Sequence, residues 1–401
     1  MKREKKILVI SSTFPRWESD SDPPFVFKLI ERITGSFKAV VLCPHAPGAE
    51  RFELFHGIRI ERFRYFFTRL QTLAYDGGIL EKLKKNKWRY CLVPFFVGGE
   101  IMSTVRLLRR EKYDVIWPHW LLPQGLAAVC AVKLTRSKVP IICTLHGSDV
   151  FALKGPFAAA LKRYVLKQSD AVVVVSEAMR SAVIRLGVAG DRIRVIPMGV
   201  NLAGQFVPPS APRNPRSILF VGRIVRDKGL DYLLEAFSTV VKKYPDATLS
   251  VVGSGQTAAD AQKYVHRTGL SDRVRFLGAV PNDRLPGIYQ STEIVVFPSV
   301  GHEGFGLVIV EALGCECAVI ATDFQAVHDI LEHKRTGIIV ERKNAAALAS
   351  SIAFLFENPG LRKAIGKNGR QYVLDRYDWE SIKKSYCEVL NDAAILYSPA
   401  P

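Results

Sequence analysis

Residues 293–322 read EIVVFPSVGHEGFGLVIVEALGCECAVIAT, and the reading of this stretch decides the fold. A strand end, Glu293 to Ser299, passes through a glycine-punctuated turn, Gly301-His302-Glu303-Gly304-Phe305-Gly306, into the helical run LVIVEALG. Strand, tight turn and helix in immediate succession are the local signature of an α/β unit. Glu303 in the turn and Glu311 in the helical run are separated by seven residues. If the segment between them is helical, eight rises of about 1.5 Å set them roughly 12 Å apart along one rod. That is the reach from a sugar to a ribose across a diphosphate. The free N–H groups and positive dipole end of the helix start would seat the phosphates between them. On residue chemistry alone a second reading stays open, in which the turn is an ordinary α/β connection and the glutamates are a cap and a solvated charge.

A chain of 401 residues is long enough for two domains, each with its own core. The start, MKREKK before ILVISS, does not read as a signal peptide, because its apolar run is short and gives way to charged, Pro-rich sequence. No stretch was found to reach the ~18 apolar residues of a membrane span. The expected location is therefore cytoplasmic. Seven cysteines without C-x-x-C or zinc-ligand spacing predict reduced thiols in apolar segments. The net charge of +18 is unevenly placed: residues 1–200 hold 33 Lys and Arg against 17 Asp and Glu, and residues 201–401 hold 23 against 21. Such asymmetry predicts that the first half meets something anionic.

Taken in order, KILVISS (Lys6 to Ser12) is a continuous apolar run of the kind a doubly covered parallel sheet requires. The loop after it carries Arg16, Trp17 and Asp22, which read either as acceptor contacts at a strand C-terminus or as a solvated connector. Between Arg62 and Phe96, five basic residues, Lys82, Lys84, Lys85, Lys87 and Arg89, surround Trp88, with Phe66, Phe67, Phe95 and Phe96 nearby. That mixture suits a membrane interface, a nucleic-acid surface, or a charged face over core aromatics. His119, in PHWLLPQG, and His146, before Gly147-Ser148-Asp149, follow strand-like runs. Residues 201–216, NLAGQFVPPSAPRNPR, are Pro-rich and aperiodic, as a linker is. A second α/β unit opens with SILFVGR at Ser217, placing Arg223 and Lys228 in a glycine-bounded turn before an amphipathic helix. Two cations at such a turn would offset the charge of a departing diphosphate. Gly253-Ser254-Gly255 forms neither a full dinucleotide fingerprint nor a Walker loop.

The pattern PS-x-x-EGFGL-x-x-x-EA followed by VIAT closely resembles the signature of retaining glycosyltransferases of family 4. VGR-x-x-x-x-KG at 221–229 and T-x-H-G-x-D at 144–149 resemble two further motifs of that family. The resemblance implies the GT-B fold, two doubly wound Rossmann-like domains facing across a cleft. It sets residues 1–203 as the acceptor-binding domain, 204–216 as linker, 217–378 as the nucleotide-sugar domain and the helix 379–397 as packing back on the first domain. It implies catalytic roles for His146, Arg223, Lys228 and Glu303. Donor binding falls to Gly222, Arg223, Lys228, Glu303, Gly304, Phe305, Gly306, Leu307 and Glu311, and Arg16, Trp17, Asp22 and His119 are assigned to the acceptor.

The expected reaction is retaining transfer of a hexosyl group from a UDP- or GDP-sugar to a glycan or lipid-linked acceptor. No metal or other cofactor is expected, because no acidic D-x-D occupies a suggestive loop. Among partners, an anionic membrane surface, reached from the inner face by the basic half, ranks ahead of nucleic acid. A sugar-nucleotide 2-epimerase of the same fold and a non-catalytic binder are the rival readings. The chain departs from the family pattern at Pro24, where G-P-F-V has glycine. It departs again at Glu316-Cys317-Ala318-Val319, in place of G-x-P-V, and at Gln325, Ala326 and Asp329, in place of G-G-x-x-E.

Overall fold

The apolar run at the start of the chain forms β1 (Lys5–Ile10), and its Ile7, Leu8, Val9 and Ile10 are wholly excluded from water. In this computed structural model, which describes residues 4–18, 20, 25–75, 78–153, 155–301 and 303–396, the chain divides into two units. Met1–Ile196 and Lys383–Pro401 make unit 1, and Pro197–Ile382 make unit 2.

Unit 1 continues with β2 (Phe37–Pro44), β3 (Phe52–Phe55), β4 (Ile58–Phe63), β5 (Val115–Pro118), β6 (Ile142–Thr144), β7 (Ala171–Val174) and β8 (Ile193–Val195). One sheet runs β3-β4-β2-β1-β5, parallel except for the edge hairpin of β3 with β4. The parallel set β6-β7-β8 joins it through single bridges, Ile116 with Ile141 and His119 with Thr144. The chain order therefore reverses between β1 and β5, and the loops after these strands flank the reversal.

Unit 2 is built on β9 (Ser217–Val221), β10 (Thr248–Val252), β11 (Val274–Gly278), β12 (Ile294–Phe297), β13 (Ala318–Thr322) and β14 (Ile338–Val340). All pair in parallel in the order β11-β10-β9-β12-β13-β14. Numbered within the unit this is 3-2-1-4-5-6, the Rossmann order, which reverses between β9 and β12. Every residue of β9, β12 and β13 is buried, as expected of central parallel strands covered on both faces. The helices Leu230–Lys243 and Ala345–Glu357 bury Leu233, Phe237, Leu348 and Ile352 in one core. Burying each such side chain contributes about 1.5–3 kcal/mol.

Residues 204–216, expected as a linker, lie within unit 2 and are tied to it. Gln205 donates to the Asn282 carbonyl at 2.9 Å, and the Arg213 guanidinium donates to the carbonyl of Cys315 at 2.5 Å. The helix Trp379–Leu396 crosses the division: Lys383 onward belongs to unit 1, where Tyr386 packs on Trp117 and Asn391 accepts from Lys5. All seven cysteines are free, four of them buried.

One sequence expectation is corrected. Residues 87–110, a short 3-10 turn running into the helix Val93–Arg110, are long enough to cross a membrane and hold an 18-residue window with a mean hydropathy of 1.5, so they pass by length and composition alone. The charged residues within the stretch, Lys87, Arg89, Glu100, Arg106, Arg109 and Arg110, hid it from a reading that counted unbroken apolar runs. Glu100 is fully buried and takes a hydrogen bond from Gln124 at 3.1 Å.

Candidate functional site

In unit 2 the polar groups gather where the strand order reverses. Arg223 and Lys228 follow β9, and Ser299 and Glu303 follow β12. The turn between Val225 and Gly229 is set by Gly229, whose φ of +66° suits glycine and whose Cβ would lie 2.1 Å from the Pro298 carbonyl oxygen. No side chain fits there, so the β9 turn is pressed onto the end of β12. The Val300 and Gly301 amides both donate to the Asp227 carbonyl, at 2.9 and 3.0 Å, and Ser299 Oγ lies 2.9 Å from it.

This clamp brings together two residues 75 positions apart. Lys228 Nζ lies 2.8 and 2.9 Å from the two carboxylate oxygens of Glu303. The Ser299 hydroxyl donates to the same carboxylate. Both side chains of the ion pair are four-fifths or more buried, and the ammonium sits 5.2 Å from the Phe297 ring centre. Arg223 is exposed beside Gly222, with no ion pair among the described residues.

The helix begins at Leu307, not in the turn at Glu303, and ends at Gly314. The single-rod estimate of 12 Å therefore does not hold. Only the four steps from Leu307 to Glu311 are helical, about 6 Å of rise. Gly306 stands at the helix start with no side-chain cap, so the first amides of the helix are not covered by a side chain there. Phe305 is buried against Tyr377, ring centres 5.4 Å apart. Glu311 is buried and oriented by Tyr289, whose hydroxyl donates at 3.0 Å, and by the Asn282 amide at 3.3 Å. His302 lies outside the described residues. Gly304 is half-buried in the turn.

The altered segment beyond the helix is locally strained. Glu316, where the family pattern has glycine, adopts φ +58°. Cys317 is buried and its thiol lies 3.1 Å from the Tyr289 carbonyl, so this segment packs on the residue that orients Glu311.

In unit 1 the equivalent positions hold a histidine pair. His119 follows β5 and His146 follows β6; their rings stack at 5.2 Å and 10°, with His119 Nδ1 3.0 Å from His146 Nε2. Asp149 fixes the loop by accepting the backbone N–H groups of Leu121, His146 and Gly147 at 2.9, 3.2 and 2.9 Å. Burial pushes the His146 imidazole down to about 3, and burial together with His146 holds His119 well below the usual range. Both rings are neutral at pH 7. His119 Nε2 and His146 Nδ1 are buried with no partner among the described residues. Whichever ring donates within the pair, one free nitrogen is a donor and the other an acceptor. Phe25 and Trp120 close in on His146, with ring centres 5.0 and 4.8 Å away.

The acceptor candidates are placed unevenly. Arg16 is engaged by Asp20 in a two-pronged ion pair, at 2.8 and 2.7 Å, and lies over the Trp17 ring at 4.6 Å. Trp17 is exposed. Asp22 lies outside the described residues, as does Pro24.

Sequence reasoning passed over Ser299, Asn282 and Tyr289. The first stands inside a quoted motif, whereas the other two carry no local signal, because their only distinction is where the fold sets them. Among the described residues no three His, Cys, Asp or Glu side chains converge as a metal site would require.

The profile of "Glycosyltransferase Family 4" matches residues 25–203, and that of "Glycosyl transferases group 1" matches residues 205–372. Phosphatidyl-myo-inositol mannosyltransferase of Mycobacterium leprae is 30% identical over 294 residues, 72% of this chain and 76% of its own. The chain belongs to glycosyltransferase family 4, within the group 1 glycosyl transferases. It is a glycosyltransferase by that membership. A second relative, the GDP-mannose-dependent alpha-(1-6)-phosphatidylinositol monomannoside mannosyltransferase of Mycobacterium tuberculosis, is 25% identical over 72% of this chain and 79% of its own. Among solved structures, sucrose-phosphate synthase from Thermosynechococcus elongatus matches with a TM-score of 0.79 at 23% identity, covering 98% of this chain and all of that one. The fold is GT-B, with two Rossmann-like α/β units.

Proposed function

We propose that this glycosyltransferase moves a hexosyl group, with retention of anomeric configuration and without a metal ion, from a UDP- or GDP-sugar to a glycan or lipid-linked acceptor. The observation that carries the reading is the convergence of Lys228, Glu303 and Ser299 at the β9/β12 reversal, the position where open α/β sheets bind nucleotides. Arg223 and Lys228 take the diphosphate and offset its charge as it leaves. The amides at the start of the helix Leu307–Gly314 add to that field. Glu311, held by Tyr289 and Asn282, accepts from the ribose hydroxyls. Glu303 accepts from the sugar hydroxyls once the ligand draws on Lys228.

His146 is neutral, so it contributes a hydrogen-bonding dipole to the sugar without opposing the positive charge that builds on the reacting carbon. Attack then occurs on the face the diphosphate leaves, with a donor phosphate oxygen taking the acceptor proton. The names of the two mycobacterial relatives support a mannosyl donor and a phosphatidylinositol-type acceptor as the first pair to test. We place the protein in the cytoplasm, at the inner face of the membrane.

Thermal stabilisation across a panel of nucleotide sugars, followed by transfer assays with lipid-linked acceptors, tests the reading. Lys228→Ala is expected to lose nearly all turnover, and Glu311→Ala to weaken nucleotide binding. Near-normal activity in both would remove the site assignment.

A further inference from the structure

A pocket of about 310 Å³ on unit 1 is lined by residues of β2, β3 and β4, by Arg51 and Arg64 beside those strands, and by the helix Val93–Arg110. Arg51, Arg62, Arg64, Arg106 and Arg110 line it against a single carboxylate, Glu61. That carboxylate is already paired with Arg59, which does not line the pocket. Arg62 is fully buried: Nη1 donates to the Glu50 carbonyl at 2.8 Å and to Glu53, and Nη2 donates to the Pro15 carbonyl at 2.7 Å. Its Nε is buried without a partner among the described residues. The other four arginines are exposed and form no hydrogen bond or ion pair through their side chains among the described residues. Five like charges around one small volume raise each other's energy, and an anion relieves the repulsion. Guanidinium forks match phosphate oxygens two at a time.

The helix that carries Arg106 and Arg110 shows what kind of anion fits. Phe95, Gly99, Met102, Arg106 and Arg110 fall at steps of four, three, four and four, so they share one face. Gly99 lets that face close on the chain that leaves β4: a Cβ there would lie 3.3 Å from the Arg64 carbonyl oxygen and from Tyr65 Cβ. Along the stripe the chemistry changes from apolar to cationic. Phe95 and Met102 are 53% and 58% exposed. Phe95 meets Phe66 at 5.1 Å, and Phe66 meets the exposed Phe67 at 5.3 Å. Phe52, 56% exposed, completes the apolar rim of the pocket. An apolar edge grading into an arginine pocket matches an amphiphile with a phosphate head, not a fully hydrated anion.

We propose that this pocket is a phosphate-headgroup site by which unit 1 docks on an anionic lipid surface. The guanidinium groups of Arg51, Arg64, Arg106 and Arg110 take phosphate oxygens, while Phe95, Met102 and Phe67 enter the interfacial layer. The cationic part of the surface differs from the Lys82–Lys87 cluster that the sequence put forward, none of which lines the pocket, while Phe67 and Phe95 belong to the same basic and aromatic segment. The pocket is also independent of the donor site, since none of Arg223, Lys228, Glu303, Glu311, His119 or His146 lines it.

The test is sedimentation of the full chain, without any sugar donor, with vesicles of phosphatidylcholine alone or with phosphatidylglycerol added. Binding is expected only to the anionic vesicles. A basic residue near such a surface is worth about fivefold in affinity, so Arg106→Ala/Arg110→Ala is expected to lose on the order of 25-fold. Lys84→Ala/Lys85→Ala, which removes the same charge from the same unit, is expected to lose clearly less. Met102→Ser, which leaves the charge unchanged, is expected to weaken binding too. Equal binding to both vesicles, or a lysine variant as impaired as the arginine variant, would overturn the headgroup site. So would thermal stabilisation by inorganic pyrophosphate in a protein that ignores vesicles, which would mark a soluble-anion site instead.

Discussion

The ion pair between Lys228 and Glu303 makes a prediction with two opposite signs. With Nζ 2.8 and 2.9 Å from the carboxylate oxygens and an effective dielectric near 20, the gross attraction is about 6 kcal/mol. Desolvation of both groups and residual exposure reduce the net value to the ~1.5–3 kcal/mol of a charged hydrogen bond. A diphosphate arriving at Lys228 thus meets an ammonium that is already neutralised, beside a carboxylate that repels it. Glu303→Gln keeps the shape and the hydrogen bond from Ser299 while removing that competition. The nucleoside diphosphate alone is expected to bind about tenfold more tightly, a gain of ~1.4 kcal/mol. Turnover is expected to fall by roughly 100-fold or more, because the amide stabilises the reacting sugar less than the carboxylate does. Calorimetry of the nucleoside diphosphate, set beside kcat at saturating donor, measures both. Unchanged or weaker nucleotide affinity in Glu303→Gln would refute the competition.

Two further outcomes rest on single side chains. Glu316 at φ +58° bears the ~1–2 kcal/mol cost of a left-handed non-glycine residue. Glu316→Gly is therefore expected to stabilise the protein by about 0.5–1 kcal/mol, after the extra freedom glycine gives the unfolded chain; a lower unfolding temperature would contradict this. Burial raises the Glu100 carboxyl from 4.5 to about 8, so between those values the folded protein keeps a proton that the unfolded chain has released. Stability from this group falls as pH rises through that window, by about 2 kcal/mol from pH 6 to 8. Glu100→Gln is expected to flatten that slope in denaturant titrations, and an unaltered slope would count against a buried, protonated Glu100.

What the sequence made legible follows from which forces are local. The buried parallel strands announced themselves, because a strand covered on both faces must be apolar throughout, as SILFV and AVIAT are. Arg223, Lys228, Glu303 and Glu311 stood out because the turn chemistry around them is written in consecutive residues. The ion pair did not, since it joins residues 75 apart and depends on Gly229 pressing one turn onto the next strand. The helix Leu307–Gly314 is legible as the run LVIVEALG; what did not hold was the distance, which carried helical rise back through the glycine turn to Glu303. The arginine pocket was legible only in part: Arg62 and Arg64 fall within the basic and aromatic segment 62–96, whereas Arg51, Arg106 and Arg110 lie outside it and join them only when β3, β4 and the following helix pack.

The helix Trp379–Leu396 carries a consequence for how this chain is made. Unit 1 is discontinuous, and its last segment is separated from the rest by residues 197–382. At roughly 5–20 residues per second on the ribosome, those 186 positions take about 10–40 s to emerge. During that interval Trp117 waits for Tyr386, and Lys5 waits for Asn391. The first half cannot reach its final packing until the helix Trp379–Leu396 has emerged, whereas unit 2, continuous in sequence, can form before then. A split between residues 196 and 197 therefore leaves the amino-terminal fragment without the helix that covers Trp117 and pairs with Lys5.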